Sequence, residues 1–378
     1  MAEDMKKLRI GVVGVGKIGL AQIEAIKVIE GAGYADLAAI SSRDEAKARA
    51  VCAKYHIPAY FTDYRAMLAA MDLDVIHNCT TNVVHYAINR DIIESGCHVL
   101  SEKPLTVDSA QSAELVSLAR TRRVKTAINF VNRHHPVIQQ LQKLIASGWF
   151  GDIYAVHGSY LQDWLFLDSD YDWRVESRYG GASRAFADIG SHWIDMAQFL
   201  LGQNVAEVLA DFATFIPVRI KSISGKDGGV VSSPVAVDTE DYTGALLRFD
   251  HGAHGGFVVS QVSAGRSSGL SFEIDGSKAS VRWSRGRPNI AIIGKRGEPE
   301  QILHSVGGIS RNEEGPAEPA ASSAEQSLGA QKNMIDSFYR SILFGEAPCY
   351  ADFEQGHAIV RIVEAALKSQ RSRTWMAV

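Results

Sequence analysis

Residues 8–19 read LRIGVVGVGKIG, a short apolar run that leads directly into a glycine-rich turn. Gly14, Gly16 and Gly19 match the pattern G-x-G-x-x-G, which is weak alone but here follows a predicted strand and opens a predicted helix. In a dinucleotide-binding turn the first glycine permits the bend, the second lets a pyrophosphate approach the backbone, and the third lets the helix pack on the strand. The alternative is a strand-to-helix turn without a ligand.

The pattern around this turn predicts two domains. Residues 1–131 alternate strand and helix patterns, as parallel α/β proteins do, whereas later strand-length segments are bounded by Gly and Asp without regular helical spacers. We predict an α/β protein with a Rossmann dinucleotide-binding domain over residues 1–131. Residues 132–378 are predicted to form an α+β domain with a large, mostly antiparallel open sheet. The closing helix pattern could pack back on the first domain.

Composition excludes several classes of protein. The chain has 378 residues, 46% apolar and 22% charged, with a net charge of −4, so it can bury full cores. It has no Lys/Arg block typical of nucleic-acid binding and no apolar run near the ~20 residues that span a bilayer. No signal-peptide pattern opens the chain, so we expect a cytoplasmic protein. The four cysteines form no C-x-x-C pair and His134–His135 has no accompanying ligand cluster, so no metal site is predicted.

The end of the second predicted strand bears on the choice of cofactor. An acid there holds the ribose 2′-OH of NAD, and an arginine suits the 2′-phosphate of NADP. Here Ser42 and Arg43 follow the strand, and Asp44 comes late enough to N-cap the next helix. Since arginine gives bidentate charge-assisted bonds to phosphate, we favour NADP, with NAD possible. Arg43 could instead stack on the adenine of either cofactor.

Two further strand ends carry polar residues. Thr80, Thr81 and Asn82 follow the strand that begins near Asp74, and Asn82 could contact a cofactor, cap the following helix, or do both. Glu102 and Lys103 follow the next strand. A lone lysine there is usually a surface residue, but this one should face the crevice where a nicotinamide would lie, where it could bind a substrate oxygen and assist proton movement.

An acid and a histidine lie four residues apart in the second half of the chain. Asp188 and His192 fall where an apolar helix is predicted to begin, so they should share one helical face, and the small Gly190 and Ser191 should leave room for a substrate. From this segment alone, Asp188 could simply cap the helix and His192 could be a core histidine. A catalytic interpretation takes His192 as the general base, because its pKa lies near working pH.

Several motifs taken together resemble one family. In order, they are the glycine turn, TTNVVHY (80–86), SEKPL (101–105), FVNRHHP (130–136), ADIGSHWIDMAQFLLG (187–202) and DFEQGHAIVRIVEAALKSQRS (352–372). The chain thereby resembles the glucose–fructose oxidoreductase/inositol dehydrogenase/rhizopine-catabolism (Gfo/Idh/MocA) family over residues 8–375. The resemblance implies a Rossmann domain joined to an α/β domain with a large open sheet. It also implies NAD(P)-dependent oxidation or reduction of sugars, anhydrosugars or inositols, and a homodimer or homotetramer formed through that sheet.

The resemblance also implies roles for individual residues. Lys103, Asp188 and His192 match the catalytic group: His192 as general base, Lys103 polarising the same oxygen and Asp188 orienting its neighbours. The residues predicted to bind the cofactor are Gly14, Gly16, Lys17, Ile18, Gly19, Ser42, Arg43, Thr80, Thr81, Asn82, His85, Glu102, Lys103 and Asn132. The residues predicted to bind the substrate, a small sugar or polyol, are Lys103, Arg133, Gln162, Asp163, Trp164, Trp173, Arg174, Asp188 and His192.

The segment YLQDWLFLDSDYDWR (160–174) contributes most of the predicted substrate contacts. Amide and carboxylate groups suit hydroxyls, and flat aromatic faces suit the C–H groups of a polyol. The alternative is a strand followed by a surface loop. Two other functions compete with a dehydrogenase: a redox-neutral, NAD-assisted glycosidase, and a non-catalytic dinucleotide-binding regulator. The presence of all three predicted catalytic residues argues against the regulator.

Overall fold

The computed structural model describes residues 6–224, 230–306, 308–310 and 323–378. The chain forms two compact units, residues 1–134 with 320–358 and residues 135–319 with 359–378. The domain boundary after residue 131 stays a prediction from sequence. Residues 320–358, which that prediction assigned to the second domain, cluster with the first unit.

The helices and strands have the following bounds. The strands are β1 (Leu8–Val13), β2 (Ala35–Ser41), β3 (Ala59–Phe61), β4 (Val75–Asn78), β5 (His98–Ser101), β6 (Thr126–Ile128), β7 (Ile153–Leu161), β8 (Val205–Ala213), β9 (Val218–Ser224), β10 (Val230–Ala236), β11 (Tyr242–Phe249), β12 (His254–Ser260), β13 (Gly269–Gly276), β14 (Ser280–Ser284), β15 (Ile290–Gly294), β16 (Gln301–His304), β17 (Gly308–Ser310) and β18 (Met376–Ala377). The α-helices are α1 (Lys17–Glu30), α2 (Glu45–Tyr55), α3 (Tyr64–Ala70), α4 (His85–Glu94), α5 (Ser109–Arg122), α6 (Pro136–Ala146), α7 (Ser177–Gly180), α8 (Ser191–Leu201), α9 (Ser323–Phe344) and α10 (Phe353–Ser372). Short 3₁₀ turns cover Asn82–Val84, Val131–His134 and Trp173–Val175, and a π-helix covers Phe186–Gly190.

The first unit is built on a six-stranded parallel sheet in the order β3-β2-β1-β4-β5-β6. The chain runs outward from β1 to β3 and then returns to β4 on the other side of β1, which is the strand order of a Rossmann-type fold. At the carboxyl edge, one row of paired residues crosses the sheet: Ser41, Val13, Asn78, Ser101 and Ile128. The segments that follow these residues therefore leave the sheet at one edge, with the topological switch between β1 and β4.

The core of the first unit includes a helix from the far end of the sequence. Ile23 and Ile26 of α1 belong to the same buried cluster as Met334 and Phe338 of α9. Cys79 lies in this cluster, and Cys97 is also buried, so both are core thiols. Burial raises the pKa of both thiols, which keeps them protonated and unreactive.

The second unit is built on a ten-stranded sheet in the order β17-β16-β15-β14-β13-β7-β12-β11-β8-β18. Every pair is antiparallel except β7 with β12, so the predicted large, mostly antiparallel sheet is confirmed. α8 packs on this sheet through Trp193, whose ring stacks on Phe257 at 4.4 Å and whose indole N–H donates to the Ser271 carbonyl. β9 and β10 form a separate two-stranded ribbon. Among the helices described, none is long and apolar enough to cross a membrane.

Candidate functional site

The glycine turn joins β1 to α1, and each glycine has a distinct environment. Gly14 has a φ of +93°, and a Cβ there would lie 2.7 Å from the Cys79 carbonyl oxygen. A Cβ on Gly19 would lie 2.0 Å from the Gly14 oxygen, so the helix can pack this closely only with glycine. A Cβ on Gly16 would meet nothing within 4 Å. α1 begins at Lys17, and its first-turn amides have no carbonyl within the helix to bond. Open space beside uncapped amides is a fit for a cofactor pyrophosphate.

The end of β2 lies beside this turn in the sheet. Ser41 is buried, Ser42 is half-buried and Arg43 is exposed. The Asp44 side chain accepts a hydrogen bond from the Lys47 amide at 3.0 Å as the N-cap of α2, which confirms that part of the sequence analysis. The carboxylate nearest the strand end is therefore already engaged, and the polar groups left beside the turn are two hydroxyls and a guanidinium.

The ends of β4 and β5 are tied together by His85. Its ring nitrogens lie 2.8 Å from the Pro104 carbonyl and 3.1 Å from the Thr80 carbonyl, and the side chain is fully buried. This burial favours a role in joining the two strand ends, and direct contact of His85 with a cofactor stays a prediction. Asn82 opens a 3₁₀ turn that leads directly into α4, and the residue at the N-cap position of α4 is Val84.

A buried chain of hydrogen bonds, here called the Glu102 relay, runs beneath this edge from Tyr339 through His77 and Gln22 to Glu102. The Tyr339 hydroxyl lies 2.8 Å from His77 Nε2, and His77 Nδ1 lies 2.6 Å from Gln22 Oε1. Because an amide oxygen only accepts, His77 carries its proton on Nδ1 and accepts from Tyr339. The Gln22 amide nitrogen then donates to Glu102 Oε1 at 2.7 Å, and Asn129 donates to the same oxygen.

Burial sets the protonation states within the Glu102 relay. It lowers the pKa of His77 to about 3, so the imidazole is neutral. Burial also raises the pKa of Glu102, against the opposing effects of Lys103, Asn129 and Gln22. The relay thereby fixes the residue directly before Lys103 at the carboxyl edge of the sheet. Lys103 itself is partly exposed, whereas Asn132 and Arg133, in the 3₁₀ turn after β6, are buried, and Arg133 donates to Gln355 Oε1 at 3.1 Å.

In the second unit, Asp188 lies within the π-helix that precedes α8. The predicted single α-helix spanning Asp188 and His192 is therefore not observed, since α8 begins only at Ser191. Asp188 does not cap a helix either: the Gln261 amide donates to its Oδ2 at 2.8 Å, and Arg174 Nε lies 3.7 Å from its Oδ1. π-Helical turns are rare and often occur at functional sites.

His192 follows in the first turn of α8 and is half-buried, with its ring centroid 6.3 Å from that of Tyr160. Gly190 and Ser191, which were expected to leave room for a substrate, are both buried. A Cβ on Gly190 would make ordinary contacts with the rings of Phe186 and Phe257, at 3.4 and 3.5 Å. Room for a substrate beside these residues stays a prediction.

The aromatic residues predicted to bind substrate gather around Arg174. Its guanidinium lies 4.4 Å from the centroid of the Trp173 ring and 5.9 Å from that of Trp164. The Trp164 indole in turn donates to Gln162 Oε1 at 2.7 Å. The structure thus brings Gln162, Trp164, Trp173 and Arg174 into one group with Asp188. Asp163 enters this loop through its carbonyl, which accepts from the Phe166 amide.

Gln261, which follows β12, was not predicted as a site residue because no sequence motif marks it. Its side chain is fully buried and binds Asp188. The three members of the predicted catalytic group lie in different units. Lys103 belongs to the first unit, and Asp188 and His192 belong to the second. Within the part of the chain that the structure describes, no three His, Cys, Asp or Glu side chains are grouped to hold a metal ion.

Comparison with known proteins identifies the family to which both parts of the chain belong. Residues 8–130 match the family model described as an oxidoreductase family with an NAD-binding Rossmann fold, and residues 138–282 match that of the GFO/IDH/MocA C-terminal domain. Levoglucosan dehydrogenase from Pseudarthrobacter phenanthrenivorans is 28% identical over 337 residues, covering 84% of this chain and 83% of that protein. Inositol 2-dehydrogenase from Rhizobium meliloti is 25% identical over 372 residues, covering 98% of this chain and 99% of that protein.

A solved structure of similar fold is levoglucosan dehydrogenase in complex with NADH and L-sorbose. It superposes with a TM-score of 0.86 over 99% of this chain and 99% of that one, at 23% identity. At that identity the likeness establishes the shared fold and nothing about ligands of this chain.

Proposed function

Because this chain belongs to the Gfo/Idh/MocA family of oxidoreductases, we propose that it is an NAD(P)-dependent dehydrogenase or reductase of a sugar, anhydrosugar or inositol. The observation that carries the proposal is the group around Asp188. A carboxylate is held by an amide and by a guanidinium that itself lies against two tryptophan rings. This group offers both hydrogen-bond partners for hydroxyls and flat apolar surfaces for C–H groups. Such a combination suits a polyol better than a purely apolar or purely ionic substrate.

The proposed roles follow from the chemistry of each side chain. When bound, the nicotinamide accepts or supplies the hydride. His192 acts as general base and takes the proton of the reacting hydroxyl, and it returns that proton when the keto form is reduced. Lys103 polarises the same oxygen. Asp188, held by Gln261 and Arg174, orients the substrate and its catalytic neighbours.

The proposed cofactor is NADP, with NAD the alternative. The support is the arrangement after β2, where Arg43 is exposed beside the glycine turn and Asp44 is committed to capping α2. An arginine without a nearby free carboxylate favours a 2′-phosphate over a diol. The cofactor would be held by the first-turn amides of α1, the hydroxyls of Thr80 and Thr81, and the edge formed by Glu102 and Lys103.

The proposed oligomer is a homodimer or homotetramer formed through the large sheet. The support from the structure is an open concavity of about 800 Å³ on this sheet, lined by residues that include Leu209, Leu246, Gly256 and Val258. Leu246 is 51% exposed there. An exposed apolar sheet face of this kind marks an interaction surface.

The proposed function is tested by replacing the general base. His192→Ala should lower kcat by about 10²- to 10⁴-fold, because general-base catalysis contributes that much to proton transfer. His254→Ala, which removes an exposed histidine at the start of β12, is the matched control and should leave kcat unchanged. A folded His192→Ala protein with the wild-type kcat would overturn the assigned role.

A further inference from the structure

A single buried arginine holds the loop between β7 and α7 in place. Arg219, on β9, has no exposed surface. Its Nη1 donates to the carbonyls of Leu167 and Asp170 at 2.7 and 2.9 Å, and its Nη2 donates to the Leu165 carbonyl at 2.7 Å. Beside it on the same strand, the Ile220 amide donates to the Asp168 carbonyl at 2.8 Å. Six consecutive loop residues, 165–170, are therefore bound at four carbonyls by one side chain and one backbone amide.

The charge of Arg219 is compensated within the same buried cluster. Its Nη2 lies 3.1 Å from Asp241 Oδ1, and Arg184 binds the same carboxylate oxygen. Burial lowers the pKa of Arg219, and the neighbouring Arg184 lowers it further. Burial would raise the pKa of Asp241, but the two arginines and the amide of Ile216 outweigh burial, and the pKa is lowered. The cluster therefore keeps an ionised carboxylate between two guanidinium groups.

This cluster is continuous with the support of Asp188. The backbone amide of Gln261 donates to the backbone carbonyl of Asp241 at 3.0 Å, and the backbone amide of Leu165 donates to the backbone carbonyl of Gln261 at 3.3 Å. The side chain of Gln261 holds Asp188. The buried carboxylate of Glu240 accepts from the Phe186 amide at 2.9 Å, where the π-helix begins. One set of hydrogen bonds thus supports both the loop that leads from Trp164 to Trp173 and the turn that carries Asp188.

We propose that Arg219 is a positioning residue that fixes the loop of residues 162–172 and thereby sets the affinity for the polyol substrate. The inference rests on the proposed function and goes beyond it, because Arg219 touches neither Asp188 nor His192. Only arginine suits this position: its planar fork reaches three carbonyls and a carboxylate at once, whereas lysine presents one ammonium at one point.

Steady-state kinetics give the first test. In Arg219→Lys the charge beside Asp241 remains but most bonds to the loop are lost. We expect KM for the polyol to rise about tenfold or more, because the loop loses the bonds that hold it in place and must then be ordered when the substrate binds. KM for the cofactor should change little, while the melting temperature should fall because buried carbonyls lose their donor. Arg248→Lys, an exposed arginine of β11 paired with Glu207, is the matched control and should leave all three unchanged. A purely structural arginine would also lower the melting temperature, but both KM values would stay unaltered.

Hydrogen–deuterium exchange gives a second test that needs no turnover. The amides of Leu165, Phe166 and Leu167 should exchange faster in Arg219→Lys and Arg219→Gln than in the wild type, while peptides from α8 keep their wild-type rates. Unchanged exchange in this loop, or an unchanged polyol KM in a folded variant, would overturn the inference. If the wild type turns over no polyol, the proposed function fails, whereas the exchange experiment still decides whether Arg219 holds the loop.

Discussion

At the scale of single residues, two neighbouring side chains set the orientation of the Asp188 carboxylate. One oxygen accepts from the Gln261 amide and the other faces Arg174. A carboxylate with a partner at each oxygen keeps a fixed orientation, whereas one without these partners can rotate.

We predict that Gln261→Glu lowers kcat/KM by about 10- to 100-fold. The substitution replaces the side-chain amide that donates to Asp188 by a second carboxylate, and two like charges at hydrogen-bond distance repel each other and displace the Asp188 side chain. The measurement is kcat/KM for the wild type and the variant.

The matched control is Gln198→Glu. Gln198 lies on α8, the helix of His192, and uses only its side-chain oxygen to accept from the Val205 amide, which glutamate can also do. Its kcat/KM should equal that of the wild type. A folded Gln261→Glu enzyme with the wild-type kcat/KM would show that Gln261 does not support Asp188.

At Arg43, we predict that replacement by alanine lowers kcat/KM with NADP by about 10- to 100-fold and leaves the value with NAD nearly unchanged. The reason is the loss of charge-assisted hydrogen bonds to the 2′-phosphate, each of which contributes about 1.5–3 kcal/mol. Arg49→Ala, an exposed arginine of α2 paired with Glu45, is the control. A wild-type enzyme that clearly prefers NAD would refute the assignment to NADP.

Sequence alone identified residues whose role depends on local chemistry. Asp44 as an N-cap and the glycines of the first turn could be recognised because the signal lies within a few neighbouring residues. Gln261 and Arg219 could not, because their partners, Asp188 and Leu165, are 73 and 54 positions away and no motif links them.

At the scale of secondary-structure elements, the glycines of the first turn have two different tasks. Gly19 lets the helix pack closely, and Gly16 leaves space for a cofactor. We predict that Gly19→Ala destabilises the protein by about 1–3 kcal/mol, since its Cβ would overlap the Gly14 carbonyl. Gly16→Ala should change stability by less than about 1 kcal/mol but raise KM for the cofactor about tenfold or more, because its Cβ would enter the space proposed for the pyrophosphate.

Thermal denaturation and cofactor titration of the two variants provide the comparison. Each variant serves as the control for the other, since both add one methyl group to the same turn. If Gly16→Ala binds the cofactor as tightly as the wild type, the pyrophosphate does not approach this backbone.

The Glu102 relay joins α1, α9 and the central strands, and it carries a pH dependence. Burial lowers the pKa of His77 from 6.5 to about 3. Because the folded pKa lies below the unfolded one, the stability from the neutral ring is fully present above about pH 6.5 and is lost as the pH falls towards 3. Between pH 6.5 and pH 5 this loss amounts to about 2 kcal/mol, at about 1.4 kcal/mol per pH unit.

We predict that His77→Asn is less stable than the wild type at pH 7 but loses about 2 kcal/mol less between pH 7 and pH 5. Urea denaturation at the two pH values measures the difference. His254→Asn, which alters an exposed histidine, should lose as much as the wild type. Equal losses in His77→Asn and the wild type would mean that His77 is not the group responsible.

The order and type of most elements could be predicted from the sequence, but two local features could not. An α-helical pattern at Asp188 conceals a π-turn, because periodicity does not distinguish five residues of π-helix from the start of an α-helix. The surroundings of Gly190, which was expected to leave room for a substrate, are the rings of Phe186 and Phe257, and a small residue in the sequence does not show which groups lie beside it.

At the scale of the whole molecule, both sheets could be predicted from the sequence, but the unit to which each helix belongs could not. The Rossmann-type sheet and the large antiparallel sheet follow from the alternation of patterns along the chain, and both are confirmed. The sequence suggested that the closing helix could pack back on the first domain, but it did not predict that α9 joins the core of the first unit. An amphipathic helix shows from its sequence that one face is buried but not against which partner.

The central claim is hydride transfer between a nicotinamide and a polyol carbon. The most direct test incubates the purified protein with a panel of sugars, anhydrosugars and inositols, with NAD and NADP separately, and follows the absorbance of the reduced nicotinamide. We predict reduction with at least one polyol, faster with NADP, and its loss in His192→Ala. If the protein binds reduced cofactor but shows no change in absorbance with any polyol or its keto form, the claim is contradicted, and a redox-neutral glycosidase or a regulator takes its place.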